Sequence, residues 1–220
     1  RTINEKLKFL LFLSAPFVLA FIFIGQDICN VLYARGEFTV SDSYMTYKAL
    51  LAYSFGLIFV AGVRLVTQGF YATKNTKLPV IFGAYNLGVN FLLCYILGFY
   101  FNLGFFGLAL ASSISSIFLF CILIFKLKTL IDGIKILDFF KYLILILTIS
   151  GASLFLGLRT SEFITQGNSL SFGLITTILS SAIFFYTISR VLRLKELRMI
   201  FKYIIIVHSF FFPLILKYEN

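Results

Sequence analysis

The stretch KLKFLLFLSAPFVLAFIFIGQDICNVLYARGEFT, residues 6–39, decides the fold class of this chain. Its apolar run, residues 9–32, exceeds the length of about 18 residues that a helix needs to cross a hydrocarbon core of roughly 30 Å. The run ends at Arg35 and Gly36, which with the following glutamate interrupt the hydrophobic sequence before it resumes at Phe38. We interpret the interruption as a charged turn in which glycine lets the chain reverse and the phenylalanine anchors at the membrane interface.

The composition extends this reading to the whole chain, because 60% of the residues are hydrophobic, 13% are charged and the mean hydropathy is +0.99. The sequence therefore predicts an all-α, polytopic membrane protein with six transmembrane helices and a C-terminal tail. The six predicted spans are residues 9–32, 43–71, 79–100, 104–125, 139–158 and 170–189. The tail, 191–220, begins with basic residues, and its apolar part, 203–216, contains Pro213. We interpret it as a cytoplasmic or interfacial segment, with a seventh crossing as the alternative.

The net charge of +10 raises the question of nucleic-acid binding, but the basic residues lie mainly between the apolar runs. The 29 Phe and 12 Tyr lie mostly inside those runs, which favours lipid or helix contacts over base stacking. Lysine and arginine alternate by side, and one set of loops carries only Arg35 and Arg159. By the positive-inside rule, both ends of the six-helix block are expected to be cytoplasmic and the Arg35 turn to lie outside.

Signatures of enzymes and cofactors are missing from the sequence. The single histidine, His208, has no carboxylate or cysteine at ligand spacing, and no segment pairs two carboxylates for acid–base work. We therefore expect no cofactor, no metal centre and no enzymatic activity. The chain starts at Arg1 without a methionine or a signal peptide, so we expect it to be the middle of a longer polypeptide.

Two polar residues inside the second predicted span form the first candidate site. Arg64 lies about two turns before the cytoplasmic end of the span, and Gln68 lies one turn away on the same face. A charge at the bilayer centre costs about 2.5–3.5 kcal/mol on insertion scales, so it needs an aqueous cavity or a partner. The pair is either a cationic lining for a phosphate-bearing substrate, or an arginine that snorkels to the headgroups.

The third and fourth predicted spans carry small and polar residues at helical spacing. Asn86 and Asn90 continue a stripe that includes Gly83 and Cys94; it favours interhelical hydrogen bonds, with amide ligation of a cation or a sugar as the alternative. In the fourth span, the small residues that stack one above another are Gly107, Ala111 and Ser115. They favour close helix packing, with ligand contact by Ser112 or Ser113 as the alternative.

Three segments of the chain resemble the second half of a known family. VLYARGEFTVSDSYMTYKALLAYSFGL, VRLVTQGFYATKNTKLPV and GFFGLALASSISS occur here in the order and spacing of MurJ-type (MviN) lipid II flippases, of the multidrug/oligosaccharidyl-lipid/polysaccharide exporter superfamily. The resemblance covers about residues 1–190 and corresponds to the last six helices of the family. It implies that residues 1–136 form four helices of the C-terminal lobe, that 137–190 form the last two helices and a groove for the lipid tail, and that 191–220 is the tail.

The resemblance also implies an activity and a set of partners. Family members move undecaprenyl-diphosphate-linked peptidoglycan precursor from the inner to the outer leaflet of the bacterial inner membrane by alternating access. Arg64 matches a position of the family's cationic cavity. Asn86 and Asn90 fall where some members bind sodium, but a carboxylate ligand of that site is here Asn90, which leaves at most a weak site with Ser112 and Ser113. The expected partners are the precursor, membrane lipids and the N-terminal lobe of the same protein, without nucleic acid.

Three alternatives to this function remain open at this stage. Two belong to the same superfamily, namely a flippase for another polyprenyl-linked glycan and a multidrug exporter. The third is a membrane scaffold without transport activity.

Overall fold

The computed structural model describes residues 3–165 and 170–199, which form helices and short connections without any β-strand. The helices are α1 (Ile3–Phe23), α2 (Gly25–Tyr33), α3 (Val40–Ala72), α4 (Lys77–Cys94), α5 (Gly104–Leu130), α6 (Ile136–Thr165) and α7 (Leu170–Val191). A π-helical segment, Tyr95–Tyr100, continues α4. The all-α class predicted from the sequence is thereby confirmed for the described residues.

Six of these helices, counting α4 with its π-helical segment as one, are long and apolar enough to cross a membrane. This confirms the six predicted spans, although several boundaries differ. The fourth predicted span ends at residue 125 but α5 continues to Leu130, and the fifth ends at 158 but α6 continues to Thr165. The extra turns carry charged residues such as Lys128 and Arg159, which favour water over hydrocarbon but do not interrupt a helix.

The first predicted span, 9–32, is two helices. The chain bends at Ile24, where φ is −117° and ψ is 9°, although hydrogen bonds at Ile24 continue on both sides of the bend. At the next residue, Gly25, a Cβ atom would lie 3.1 Å from the ring of Tyr47 in α3. The absence of that atom allows α2 to pack closely on α3 after the bend.

The charged turn between α2 and α3 has a defined local structure. Gly36 adopts a φ of +62°, a conformation that favours glycine. Phe38 packs on Tyr33, with the ring centroids 5.9 Å apart. Thr39 and Asp42 then form a capping box at the start of α3, in which each side chain bonds the backbone N–H of the other residue.

The buried core lies among α1, α3, α5 and α6. Large side chains that are fully or almost fully buried there include Leu11 and Phe12 of α1, Phe70 of α3, Phe120 of α5 and Ile146 of α6. Helix α7 packs mainly on α6, and α4 packs mainly on α5 at the periphery of the lobe. The four central helices thus form the core on which α4 and α7 pack.

The tail predicted for 191–220 is described only in its first part. After α7 the chain turns at Arg193, which has a φ of +53°, and residues 195–199 are again helical. His208 and the segment 203–216, whose crossing of the membrane was left open, lie outside the described residues.

Candidate functional site

A cavity of about 660 Å³ lies between α1 and α3, with Met199 of the segment after α7 also in its lining. One end is polar, with Glu5 and Lys6 of α1, and Gln68 of α3 also lines it. Apolar side chains line the remainder, among them Leu10, Leu13, Phe17, Phe21, Leu57 and Leu65. The cavity therefore combines a few polar groups with a long apolar wall, an arrangement suited to an amphipathic molecule.

Arg64 lies one turn before Gln68 on α3 but does not line this cavity. Its side chain is exposed, and within residues 3–165 and 170–199 it forms no hydrogen bond or ion pair. It lies eight residues before the end of α3 at Ala72, a distance of about 12 Å at 1.5 Å per residue. The guanidinium donors of Arg64 are thus available on the surface beside the cavity, within the apolar span.

The polar stripe of α4 is partly engaged by α5. The Nδ2 group of Asn90 donates a hydrogen bond to Oγ of Ser115 at 2.9 Å, and Sγ of Cys94 donates to Oδ1 of Asn90 at 3.2 Å. One turn earlier, Oδ1 of Asn86 is buried and has no hydrogen-bond partner among the described residues. The structure therefore brings Asn90 and Ser115 together and leaves the Asn86 oxygen as the unsatisfied acceptor of the stripe.

The small residues of α5 serve two helix contacts. A Cβ atom on Gly107 would lie 2.5 Å from the carbonyl oxygen of Leu97 in the π-helical segment, and Ala111 is fully buried. On another face, Oγ of Ser113 donates to the carbonyl oxygen of Ala52 in α3 at 2.6 Å. Gly107 and Ser115 thus contact α4 and its continuation, whereas Ser113 contacts α3.

Of the four residues considered for a weak sodium site, three are hydrogen-bonded at different places, and Asn86 has an unpaired oxygen among the described residues. Ser113 bonds α3, Asn90 bonds Ser115, and Oγ of Ser112 donates to the carbonyl oxygen of its own helix at Leu108, 3.2 Å away. Among the residues that the structure describes, no group of three or more His, Cys, Asp or Glu side chains is arranged to hold a metal.

A second cavity, of about 370 Å³, lies between α1, α6 and α7. Phe12, Pro16, Ile178, Ala182 and Phe185 contribute to its apolar walls. The hydroxyl groups of Ser150 and Ser181, which also line it, are buried and unpaired in the described part of the chain. Its walls otherwise favour a hydrocarbon chain over a polar ligand.

Two structural features were missed in the sequence. Glycines of α3, at Gly56, Gly62 and Gly69, face Ser113, Phe120 and Leu127 of α5, and a Cβ atom on each would lie 2.6–2.7 Å from its neighbour. Their spacing of six and seven residues was the available signal, since it matches the repeat of two helices packed nearly parallel. The other feature is a hydroxyl seam between α6 and α7, where Ser161 bonds Gly173 and Ser180 bonds Gly157.

Six helices that are long and apolar enough to cross a membrane, with largely apolar cavities between them, define part of a multi-pass helical membrane protein. A family model described as lipid II flippase MurJ matches residues 1–176. The lipid II flippase MurJ of Thermosipho africanus is 35% identical over 139 residues, covering 63% of this chain and 28% of the relative. A relative from Aquifex aeolicus is 30% identical over 199 residues, covering 90% of this chain and 38% of the relative.

The fold comparison agrees with the sequence comparisons. A solved structure of lipid II flippase MurJ in an inward closed conformation superimposes with a TM-score of 0.68 at 31% identity. The match covers 86% of this chain and 39% of that one. The chain belongs to the lipid II flippase MurJ family, as the sequence resemblance indicated, and is a multi-pass inner-membrane protein. It spans well under half of the length of these relatives.

Proposed function

We propose that the complete protein carrying this chain is a lipid II flippase. It moves undecaprenyl-diphosphate-linked peptidoglycan precursor from the inner to the outer leaflet by alternating access, as a transporter and not as an enzyme. The observation that carries the proposal is the family match over residues 1–176, in a chain whose fold superimposes on part of a solved lipid II flippase MurJ with a TM-score of 0.68. This chain supplies helices of the C-terminal lobe, and the N-terminal lobe is its partner.

Arg64 and Gln68 are proposed to contact the diphosphate. The unpaired guanidinium of Arg64 offers donors in a planar fork that matches phosphate oxygens. Gln68, one turn away, lines the cavity between α1 and α3 and provides a neutral hydrogen-bond donor beside the Arg64 guanidinium. The competing role for Arg64 is snorkelling to the headgroups, which places the same charge at the membrane surface without substrate contact.

The cavity between α1, α6 and α7 is proposed to hold part of the undecaprenyl chain. Its walls are apolar except for a few hydroxyl groups, and exposed side chains of α7 such as Ile175, Leu179 and Ile183 extend the apolar surface beside it. In this proposal residues 1–136 form four helices of the C-terminal lobe, 137–190 form the last two helices with the groove for the lipid tail, and 191–220 form the basic cytoplasmic or interfacial tail.

Both ends of the six-helix block are proposed to be cytoplasmic, which puts the Gly36 turn outside. The support is the loop charge: Lys74, Lys77 and the basic residues of 126–141 lie on one side, with few cations on the other. Six crossings also return the chain to the side on which it started.

The proposed activity is tested by the leaflet accessibility of labelled lipid II in cells depleted of the complete protein. We expect lipid II to accumulate in the inner leaflet, wall synthesis to stop and the cells to lyse. Unchanged outward movement of lipid II would contradict the proposal. Loss of a surface polysaccharide alone would point to a flippase for another polyprenyl-linked glycan, and loss of drug efflux alone to a multidrug exporter. Normal transport of all these compounds would favour the remaining alternative, a membrane scaffold without transport activity.

A further inference from the structure

A third cavity lies at the end of α7, next to the cavity between α1, α6 and α7, with which it shares Tyr186 and Leu197, and three of its five polar lining residues are arginines. It has a volume of about 610 Å³ and is lined by Arg190, Arg193 and Arg198, together with Tyr186 and Ser189. A volume of about 300–1,000 Å³ is typical of sites for small ligands. Because the apolar helix α7 ends at Val191, the cavity lies where a span meets the lipid headgroups.

The charge of this arginine pocket is strongly positive. Glu196 is the one acidic residue between Tyr186 and Met199, and it is buried and does not line the pocket. A helix C-terminus by itself repels anions through a partial charge of about −0.5. Here the terminal carbonyl groups are already bonded, because the N–H groups of Leu192, Arg193 and Leu194 donate to Ile188, Arg190 and Ser189 at 2.9–3.1 Å. Three guanidinium groups therefore determine the potential in the pocket.

Ser189 supplies an independent sign of a ligand. Its side chain is completely buried, it lines the pocket, and its Oγ has no hydrogen-bond partner in the described part of the chain. A buried hydroxyl without a partner is unfavourable, and a ligand oxygen beside it would satisfy it. Arg190 is held in place from the other side, since its Nη1 donates to the hydroxyl oxygen of Tyr186 at 3.1 Å.

The backbone at Arg193 offers a matched control for the role of this cation. Arg193 occupies the left-handed position that ends α7, with a φ of +53°, where glycine is the preferred residue. A side chain there adds backbone strain. Lys74 ends α3 in the same way, with a φ of 58° and the N–H of Asn75 bonded to Phe70, but Lys74 does not line the arginine pocket. The two positions form a matched pair for experiment.

We propose that the arginine pocket binds a phosphate group, supplied by the headgroup of an anionic phospholipid in the adjacent leaflet or by a free phosphate anion. Arginine forks bind phosphate oxygens through paired hydrogen bonds, and three of them surround this cavity. The Ser189 hydroxyl donates to a further oxygen. The site adjoins the proposed tail groove through Tyr186 and Leu197, but its three arginines do not line that groove. It would anchor the end of α7 to the membrane surface.

The test uses the complete protein in nanodiscs that contain equal amounts of phosphatidylcholine and phosphatidylglycerol. Native mass spectrometry measures the phosphatidylglycerol that stays bound. We expect Arg193→Gly to weaken retention about tenfold, the loss typical of a charge-assisted hydrogen bond. The control Lys74→Gly removes a cation from the same backbone geometry and should leave retention unchanged. Both variants should keep or raise the thermal midpoint because glycine relieves the left-handed strain.

Two further measurements separate the sources of the phosphate and protect against misfolding. Arg198→Gln should weaken retention by a similar factor, and Ser189→Ala by about two- to tenfold because only a neutral hydrogen bond is lost. In nanodiscs of phosphatidylcholine alone, inorganic phosphate should raise the thermal midpoint only if a free anion occupies the pocket. Equal loss of retention in Arg193→Gly and Lys74→Gly would overturn the proposal, as would the absence of both selective lipid retention and phosphate stabilisation in the unmodified protein. Because no readout involves lipid II movement, the result is independent of the proposed flippase activity.

Discussion

Gly56 of α3 and Ser113 of α5 are in direct backbone contact. A Cβ atom on Gly56 would lie 2.6 Å from Cα of Ser113, and Oγ of Ser113 donates to the carbonyl oxygen of Ala52, also at 2.6 Å. In a membrane, where lipid is as apolar as the helices, such close packing and hydrogen bonding replace the hydrophobic effect as the source of helix association. This pair is one of the close contacts that set how α3, which carries Arg64, packs on α5.

The first prediction is that Gly56→Ala destabilises the complete protein by about 1–3 kcal/mol, the usual cost of overpacking. The added methyl group meets a backbone atom, which cannot rotate away, so α3 and α5 must separate. The measurement is the thermal midpoint of the purified protein in detergent. Gly83→Ala in α4 is the control, since a Cβ there has no heavy atom within 4 Å, and its midpoint should not fall. Equal thermal midpoints for the two variants would show that the contact between Gly56 and Ser113 does not determine the stability of the protein.

The second prediction concerns topology. A cysteine probe at Glu37 or Glu162 should react with a membrane-impermeant reagent added outside intact cells, whereas a probe at Lys74 or Lys128 should react only after permeabilisation. All four positions are exposed, so a difference in labelling reports the side of the membrane and not burial. The free cysteines Cys29, Cys94 and Cys121 are replaced first. Labelling of the two lysine positions in intact cells would reverse the proposed orientation.

The third prediction is that transport by the complete protein depends little on sodium. Asn90 supplies an amide where a carboxylate would be a stronger ligand for a hard cation, and both ends of that amide are already hydrogen-bonded. Lipid II translocation is measured after sodium is replaced by potassium at a fixed membrane potential. A steep fall in translocation would mean that Asn86, Asn90 or the nearby serines bind sodium despite this arrangement.

The fourth prediction tests the proposed tail groove. Ala182→Phe fills the cavity between α1, α6 and α7 and should lower lipid II translocation, because the undecaprenyl chain loses its place. Leu87→Phe adds bulk on α4, where the side chain is 74% exposed and lines neither this cavity nor the one between α1 and α3, so translocation should be normal. Membrane levels of both variants are compared by blotting. Equal translocation by the two variants would show that transport does not require this cavity.

The sequence predicts the all-α class and the six spans because apolar length and loop charge act locally and strongly. A run such as 104–125 needs no knowledge of its neighbours to be assigned as a membrane helix. Helix ends were less predictable, since charged residues beyond the hydrocarbon continue α5 and α6 without interruption. The bend at Ile24 depends on the packing of Gly25 against Tyr47, which the residues of the first span do not reveal.

For the candidate site, the sequence indicates what type of contact a side chain makes but not which residue is its partner. The stripe containing Asn90 indicates a helix or ligand contact, but its pairing with Ser115 depends on the register of α4 against α5. Adjacent residues on a helix point about 100° apart, so Ser112 and Ser113 could not both be assigned to one site from spacing alone. The positions of Gln68 on a cavity wall and of Arg64 beside it likewise depend on how α1 packs on α3.

The last prediction is that Arg64 contacts the diphosphate and does more than snorkel. Its guanidinium is exposed on α3 and unpaired within the described residues, and Gln68 beside it lines a cavity with a polar end. If Arg64 only snorkels, lysine should replace it fully, because a flexible ammonium reaches the headgroups from the same depth.

If Arg64 grips phosphate, Arg64→Ala should lose a charge-assisted contact worth about 1.5–3 kcal/mol, whereas Arg64→Lys should restore the charge but not the paired hydrogen bonds. Complementation of a flippase-depleted strain by the complete protein measures this, with lipid II translocation assayed and membrane levels checked by blotting. We expect a severe defect for alanine and a partial one for lysine. Lys128→Ala, at the end of α5, controls for the loss of a cation near the membrane and should complement fully. Normal growth and translocation with Arg64→Ala would contradict diphosphate binding and support snorkelling of Arg64 to the lipid headgroups.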